Sequence, residues 1–312
     1  LTSQVNNLIR LRGTLSRDIR APNLAELFNP GTPVQSSAND PFTGNNVPIF
    51  STTSGNINLK PEKADTISAG VILSPASRLN LSLDFYSISL KGAVGTVSQA
   101  VLLERCGASG DKNSLYCSLL AFNGAGGQLS EIRNVPINLA SQKVSGLDAQ
   151  IDHQMGLGAG SLSSRLVGNL ILTQTRIENG VTTNYRGAIG GDSPAQGIPR
   201  LRATITETYT NGPLAATVQG RFIGEAQLVN GWTPKDVDNN DIPAIFYVDV
   251  RGSYDLNDRI QVYGAVDNLF NQDPPNVAVS YNNSASKYST AIRGAIYDQL
   301  GRAYRIGVRF KI

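Results

Sequence analysis

Few residues of this chain are of the types that do covalent or metal chemistry, and they are not arranged to do it. In 312 residues there is one histidine, His153, and there are two cysteines, Cys106 and Cys117. A Ser/His/Asp hydrolase needs its histidine beside a nucleophile and an orienting carboxylate. His153 instead falls inside a run that reads as a strand, with no such set around it. The chain is therefore read as no enzyme, with no cofactor and no metal. The cysteines lie close together in a glycine-rich stretch. Such a pair suits a disulfide in an oxidising compartment, and closing so short a loop contributes roughly 2–3 kcal/mol to local order. Two unpaired thiols are the alternative. A metal site is a poorer one, since only one histidine is available.

The remaining chemistry is electrostatic. Arg10, Arg12, Arg20, Arg221, Arg251, Arg305 and Arg309 stand at alternate positions of extended runs. An aqueous channel lined this way attracts an anionic ligand or pairs with carboxylates presented to it. The plainer reading is that these arginines are solvated and cross-pair with Asp18, Asp84, Asp249 and Glu225. Tyr185, Arg186, Trp232, Tyr281 and Tyr288 lie on long polar stretches. Aromatic rings there suit stacking on sugar rings or catechols, with loop packing as the plainer reading. The net charge of +3 is weak and the basic residues are scattered, which argues against a nucleic-acid partner.

Extended runs must position these groups. Ala244, Phe246, Val248, Val250, Gly252, Tyr254 and Leu256 fall on one face of such a run, and Ile245, Tyr247, Asp249, Arg251, Ser253 and Asp255 on the other. After Asn257-Asp258 the alternation resumes with Ile260, Val262, Gly264 and Val266. Period two through two runs and a short turn is a hairpin with one apolar face. The same pattern recurs over 9–20, 67–73, 79–86, 147–154, 162–172, 201–205, 214–222 and 304–312, giving about ten strands. Residues 21–54 read as a polar surface loop, 91–133 as an insert holding the cysteines, and Val97–Glu104 as a short helix. His153 reads as a rim residue.

The connections alternate. Short turns fall near 75–78, 156–160, 211–212 and 256–258; long loops fall near 21–63, 92–142, 177–198, 228–244 and 271–301. No run of about eighteen apolar residues exists, so no transmembrane helix is expected. Strands need only about ten residues to cross a bilayer, half of them polar. Short turns on one side and long loops on the other, with charged inward faces, predict an all-β, antiparallel transmembrane β-barrel portion of about ten strands. Its short turns would be periplasmic and its long loops extracellular.

The order of motifs resembles the C-terminal part of the β-barrel of a TonB-dependent outer-membrane receptor. Ser16 to Phe28 (SRDIRAPNLAELF) resembles the family's strand-to-loop motif. Asn58-Leu59-Lys60-Pro61-Glu62 resembles its NLKPE segment, and Val266 to Asn271 (VDNLFN) the motif near its end. Gly301 to Ile312 resembles the terminal strand that the barrel assembly machinery reads, although Ile312 replaces the usual aromatic and Phe310 would share that role. The cysteine-bearing insert and Asn138 to Ser141 resemble a subgroup whose substrates are unassigned.

The resemblance implies a chain spanning 1–312 as the C-terminal portion of the barrel, in a Gram-negative outer membrane. The plug domain and TonB box would lie elsewhere. It implies active uptake of a scarce small-molecule substrate, of iron-siderophore or oligosaccharide class, through a plugged barrel coupled to TonB, with the lipid bilayer as a further partner. A passive porin-like or adhesin barrel is the alternative. The family's barrel has about 22 strands, so this chain is expected to form a curved, incomplete sheet with an unpaired first edge.

Overall fold

Alternating polarity along each run becomes a single wall in the computed structural model. The structure describes residues 1–138, 141–178, 181–189, 198–235, 237, 239–275 and 296–310. Ten long strands form the wall: β1 (Ile9–Arg20), β2 (Glu62–Ala76), β3 (Leu79–Lys91), β4 (Ser141–Leu157), β5 (Gly160–Glu178), β6 (Leu201–Asn211), β7 (Leu214–Ile223), β8 (Ile245–Asn257), β9 (Ile260–Asp267) and β10 (Ala303–Phe310). Each pairs antiparallel with the strand that follows it. Two short strands extend the sheet: Thr2–Gln4 beside β1 and Val181–Asn184 beside β5. Thr2–Gln4 and β10 are its two edges among the described residues, so the wall is open.

One end of the wall carries tight turns. Ala76 pairs with Leu79, Leu157 with Gly160, Asn211 with Leu214, and Asn257 with Ile260. A two-residue turn needs positive φ where the twist of the strands demands it. Arg78 at +68° and Gly158 at +59° supply it, as does Gly212 at +53°. At 211–212 the turn thus sits on Gly212-Pro213, one residue later than the Asn-Gly pair suggests.

The two faces differ in kind. On the outer face, the register stacks Leu11 on Val71, Val71 on Leu83, and Leu83 on Ala149; Leu166 lies beside both Ile151 and Ile205. These apolar residues are not buried by protein: Leu15 is 81% exposed and Ile306 93%. A water-soluble sheet would cover them, because each costs about 1.5–3 kcal/mol when left in water. The inner face carries the charged residues.

The other end of the wall is not simply loop. Residues 21–54, expected as an open loop, contain a short helix, α1 (Leu24–Phe28), and a hairpin of Pro33–Asn39 with Asn46–Thr53. The described part of the insert runs over 92–138 rather than 91–133, and its helix, α2 (Gln99–Ser109), starts two residues later than expected and ends five later. The hairpin strand Asn46–Thr53 pairs parallel with Glu131–Asn134, which pairs with Leu120–Ala121. Two loops distant in sequence thus fold as one cap. Its core is Ile49, Leu102, Cys106, Cys117, Leu129 and Ile132, all almost completely buried. Gly107 allows α2 to approach this hairpin: a Cβ there would sit 2.8 Å from the Pro41 carbonyl oxygen.

Candidate ligand vestibule and lumen wall

The inner face of the wall is a ladder of paired charges. Arg12 grips Asp84 through two nitrogens. Asn169 donates to Asp148 at 2.6 Å, and Arg165 reaches Asp152 at 3.7 Å. Arg221 holds Asp249 through Nε at 2.7 Å and Nη2 at 3.1 Å. Arg10 donates to Gln4. Of the expected carboxylate partners, Asp84 and Asp249 are used as such. Asp18 receives only the Ser16 hydroxyl, and Glu225 has no ion pair among the described residues.

Toward β10 the balance shifts. Arg251 and Arg305 share one carboxylate, Asp267, while Arg309 donates to Gln261 and lies over the Tyr263 ring, 5.7 Å from its centroid. Arg251, Gln261, Tyr263, Arg305 and Arg309 line a groove of about 900 Å³ together with Thr217. Three guanidiniums against two carboxylates, Asp267 and the Asp255 that accepts Gln261, leave this part of the wall with a net positive charge, a place for an anionic group to settle.

At the looped rim, the motif residues act as knots. Arg20 binds both Glu62, at 2.8 Å through each of two nitrogens, and Glu26, at 3.0 Å. Glu26 also accepts the Asn23 N–H while the Asn23 side chain accepts the Glu26 N–H, a capping box that fixes α1. The Arg20 contact, then that N–H, hold the Glu26 carboxyl below the ordinary glutamate range. Glu62 accepts the Val94 N–H at 2.6 Å. Asn138 receives the Lys60 N–H and donates to the carbonyls of Lys60 and Gly92. Arg20 was expected on the lumen face; its geometry makes it the tie between β1, α1 and the next two loops.

The VDNLFN motif does the same at the far side. Asn268 is fully buried, with φ of +50°. Its N–H goes to Asp249 at 2.8 Å, and its side chain both donates to the Gln272 carbonyl and accepts the Gln272 N–H. Asn271, at φ +52°, accepts the Arg302 N–H. Asp249 therefore joins β7, through Arg221, to the last long connection. Ile245 and Tyr247, on the lumen face by alternation, are covered by that connection: they pack with Ile223, Leu228, Ile242 and Tyr297.

Between the loops after β5 and β7 lies a cavity of about 680 Å³, lined by Arg186, Arg200, Glu225, Gln227, Asn239 and Asp241. That volume is within the range of small-molecule sites. Arg186 donates to the Leu172 carbonyl at 3.1 Å, and neither Arg186 nor Arg200 has a carboxylate partner among the described residues. Tyr185 adjoins this cavity in sequence, and its N–H is spent on the Gln174 carbonyl. Trp232 is half-buried, packed against the cluster around Tyr247. The structure thus brings Arg186 to a cavity and gives Trp232 a packing role. Tyr281 and Tyr288 lie outside the described residues. Arg200, Glu225 and Asp241 were missed as a group by sequence reading, because the two loops meet through non-local contacts, the parallel bridge of Ala188 with Gln227 and the Asn230 amide on the carbonyls of Asn184 and Arg186.

Cys106 and Cys117 are joined in a disulfide inside the cap. His153 stands within β4 on its outer face, opposite Leu79 and Ser164. Among the described residues no group of three His, Cys, Asp or Glu side chains is placed to hold a metal ion, and no helix is long and apolar enough to cross a membrane.

Comparison with known proteins gives a consistent result. The family model described as TonB dependent receptor-like, beta-barrel, matches residues 1–269. Among solved structures, the fold is similar to a mutant ferric enterobactin receptor (PfeA) from Pseudomonas aeruginosa in complex with enterobactin. The TM-score is 0.68 and the identity 15%, over 99% of this chain and 39% of that one. The siderophore receptor PirA from Acinetobacter baumannii gives 0.60 at 15% identity, over 99% and 40%. The copper transporter OprC gives 0.53 at 15% identity, over 99% and 38%. The chain thus spans about two-fifths of the length of these structures. No curated protein matches it in sequence.

Proposed function

The chain belongs to the TonB-dependent receptor-like β-barrel family, and from that premise we propose that it forms the C-terminal part of the barrel wall of an outer-membrane active-transport receptor. The observation that carries the reading is the wall itself: charged residues paired on one face, uncovered apolar residues on the other, tight turns at one end and folded loops at the other. That arrangement has a water-filled inside and a lipid outside. The family and the similar structures are transport receptors rather than enzymes.

In this reading the plug domain and TonB box are supplied by sequence beyond this chain, TonB acts through them, and the barrel assembly machinery engages β10. The cationic groove of Arg251, Arg305 and Arg309 faces the plug. The cavity beside Arg186 and Arg200 belongs to the extracellular vestibule that first meets ligand. Arg186 and Arg200 form no ion pair with the Glu225 and Asp241 that share the cavity lining, so their guanidiniums are left to bind an anionic chelate of the ferric-siderophore class rather than a neutral oligosaccharide. They also favour it over a free metal ion. The soft donors His153 and Met155 sit in β4 toward its tight turn, and the cysteines are bonded to each other.

Uptake of radiolabelled ferric enterobactin by cells expressing the whole receptor, with and without functional TonB, tests this. TonB-dependent accumulation that falls severalfold in R186Q/R200Q is the expected result. Uptake that persists without TonB would support a passive porin instead. TonB-dependent uptake of a maltodextrin but of no ferric siderophore would move the ligand to the oligosaccharide class.

A further inference from the structure

One group of charges lies on the face of the wall where charge is least expected. In the outward-facing register of β1 to β4, Arg17 stands opposite Asp65, Asp65 opposite Ser89, and Ser89 opposite Lys143. One step nearer the looped rim, Lys63 stands directly opposite Lys91. Arg17 binds Asp65 at 2.6 Å, and Lys91 approaches the same carboxylate at 4.0 Å. Lys63 and Lys143 are exposed and have no ion pair among the described residues. Four cations thus stand around one carboxylate, which pairs with two of them.

We propose that this cluster binds the phosphate of a lipid headgroup in the outer leaflet. The inference rests on the membrane orientation proposed above. Like charges directly opposite each other on paired strands are destabilising, so the Lys63–Lys91 pair calls for an anion between or above it. The cluster is continuous with the apolar face: Leu15 and Ile67, one step further from the rim on the same face, are exposed, and Phe85, Leu83 and Leu81 follow below. From Asp65 to the tight turn at Ala76 is eleven residues. At about 3.3 Å per residue and a tilt of about 45° that is about 25 Å, the height of the apolar band of an outer-membrane barrel. Acyl chains lying on Leu15, Ile67 and Phe85 would present their headgroup phosphate to Arg17, Lys63, Lys91 and Lys143. Asp65 holds Arg17 and Lys91 in place without neutralising the group.

The test uses the whole receptor purified from outer membranes into dodecyl maltoside. Native mass spectrometry reads its binding of lipid A carrying two phosphates, with dephosphorylated lipid A as the comparison. The expected affinity loss is about fivefold per lysine, on the order of a hundredfold for K63Q/K91Q/K143Q. The control K235Q, on a loop, should bind as the native protein does. Should the triple variant not fold, K143Q removes a side chain without an ion pair and should still show the fivefold loss. Equal binding of the dephosphorylated lipid, undiminished binding by the variants, or displacement of the lipid by inorganic phosphate would each overturn the proposal. Failure to recover the native receptor in outer membranes would instead sink the orientation on which it rests.

Discussion

The two loop assemblies at the rim solve the same problem differently. The cap over 21–61 and 92–138 has a core of its own, made of Ile49, Leu102, Leu129, Ile132 and the Cys106–Cys117 bridge, and no wall strand contributes to it. The assembly after β5, β7 and β9 has no disulfide. Its core borrows Ile223, Ile245 and Tyr247 from the wall, and its polar centre is Arg221–Asp249–Asn268. The cap is a small domain tethered by rim knots. The second assembly is the wall continued inward. One can loosen without the barrel noticing; the other cannot.

The largest expected effect comes from breaking the second centre. Asp249 is 3% exposed and satisfies Arg221 and the Asn268 N–H. Asp249→Ala leaves the half-buried Arg221 guanidinium with only Asp298, at 3.6 Å, and the buried Asn268 N–H without its acceptor, together a cost of about 3–4 kcal/mol. Urea unfolding of the receptor in lipid should show a loss of global stability, with hydrogen exchange rising in 268–275 and in β7 and β8 together. Ile132→Ala, at a fully buried cap position, costs about 2–4 kcal/mol by cavity formation. That loss should appear as faster exchange within 33–53 and 99–134 only. If Ile132→Ala shifts the unfolding of the whole wall, the cap is not independent.

Reduction of the disulfide is a milder version of the same cut, roughly 2–3 kcal/mol. It should expose the cap to limited proteolysis while leaving the wall resistant. If the wall becomes sensitive too, the two assemblies are coupled.

The smallest effect separates the two by pH. Asp40, buried in the cap, would be raised by burial. The N–H groups of Leu129, Phe42 and Thr43, at 2.8, 2.9 and 3.0 Å, outweigh that and hold it below the ordinary aspartate range. Its contribution is complete above the unfolded value near 4 and is lost as pH falls through the folded one. In the second assembly, burial pushes the Tyr297 phenol up to about 12. Its contribution is complete below the unfolded value of about 10 and is lost between there and 12. Hydrogen exchange corrected for intrinsic rates should show the cap loosening first in acid and the 223–300 assembly first in alkali.

The wall was legible in the sequence because strand polarity is local. Arg12 and Leu11 declare opposite faces without reference to any partner, and the loop lengths declare the two ends. The ten long strands and the open sheet are as expected. What failed to show was non-local. Nothing in Phe50 to Thr53 announces a parallel partnership with Glu131 to Asn134. Nothing in Tyr247, a lumen residue by alternation, says that a loop beginning at Asn268 covers it. The bulge between Ser145 and Gly146 shifts the register of β4 and β5, so Leu172 is left without a partner in β4, which the alternation over 162–172 did not announce. The rim cations escaped for a different reason. Arg17 and Lys63 belong to the face read as apolar, and only the register puts Lys91 and Lys143 beside them.

The account stands or falls on which face of the wall meets lipid. Thr204 and Ile205 are neighbours in β6, the first on the face of Arg221 and the second on the face of Leu166. With no free cysteine among the described residues, each can be replaced by cysteine in the whole receptor and challenged in native outer membranes with a membrane-impermeant charged maleimide, the plug loosened by urea. The account predicts that Thr204→Cys is labelled and Ile205→Cys is not, the latter reacting only with a lipid-soluble reagent. Equal labelling of both, or the reverse order, would contradict it.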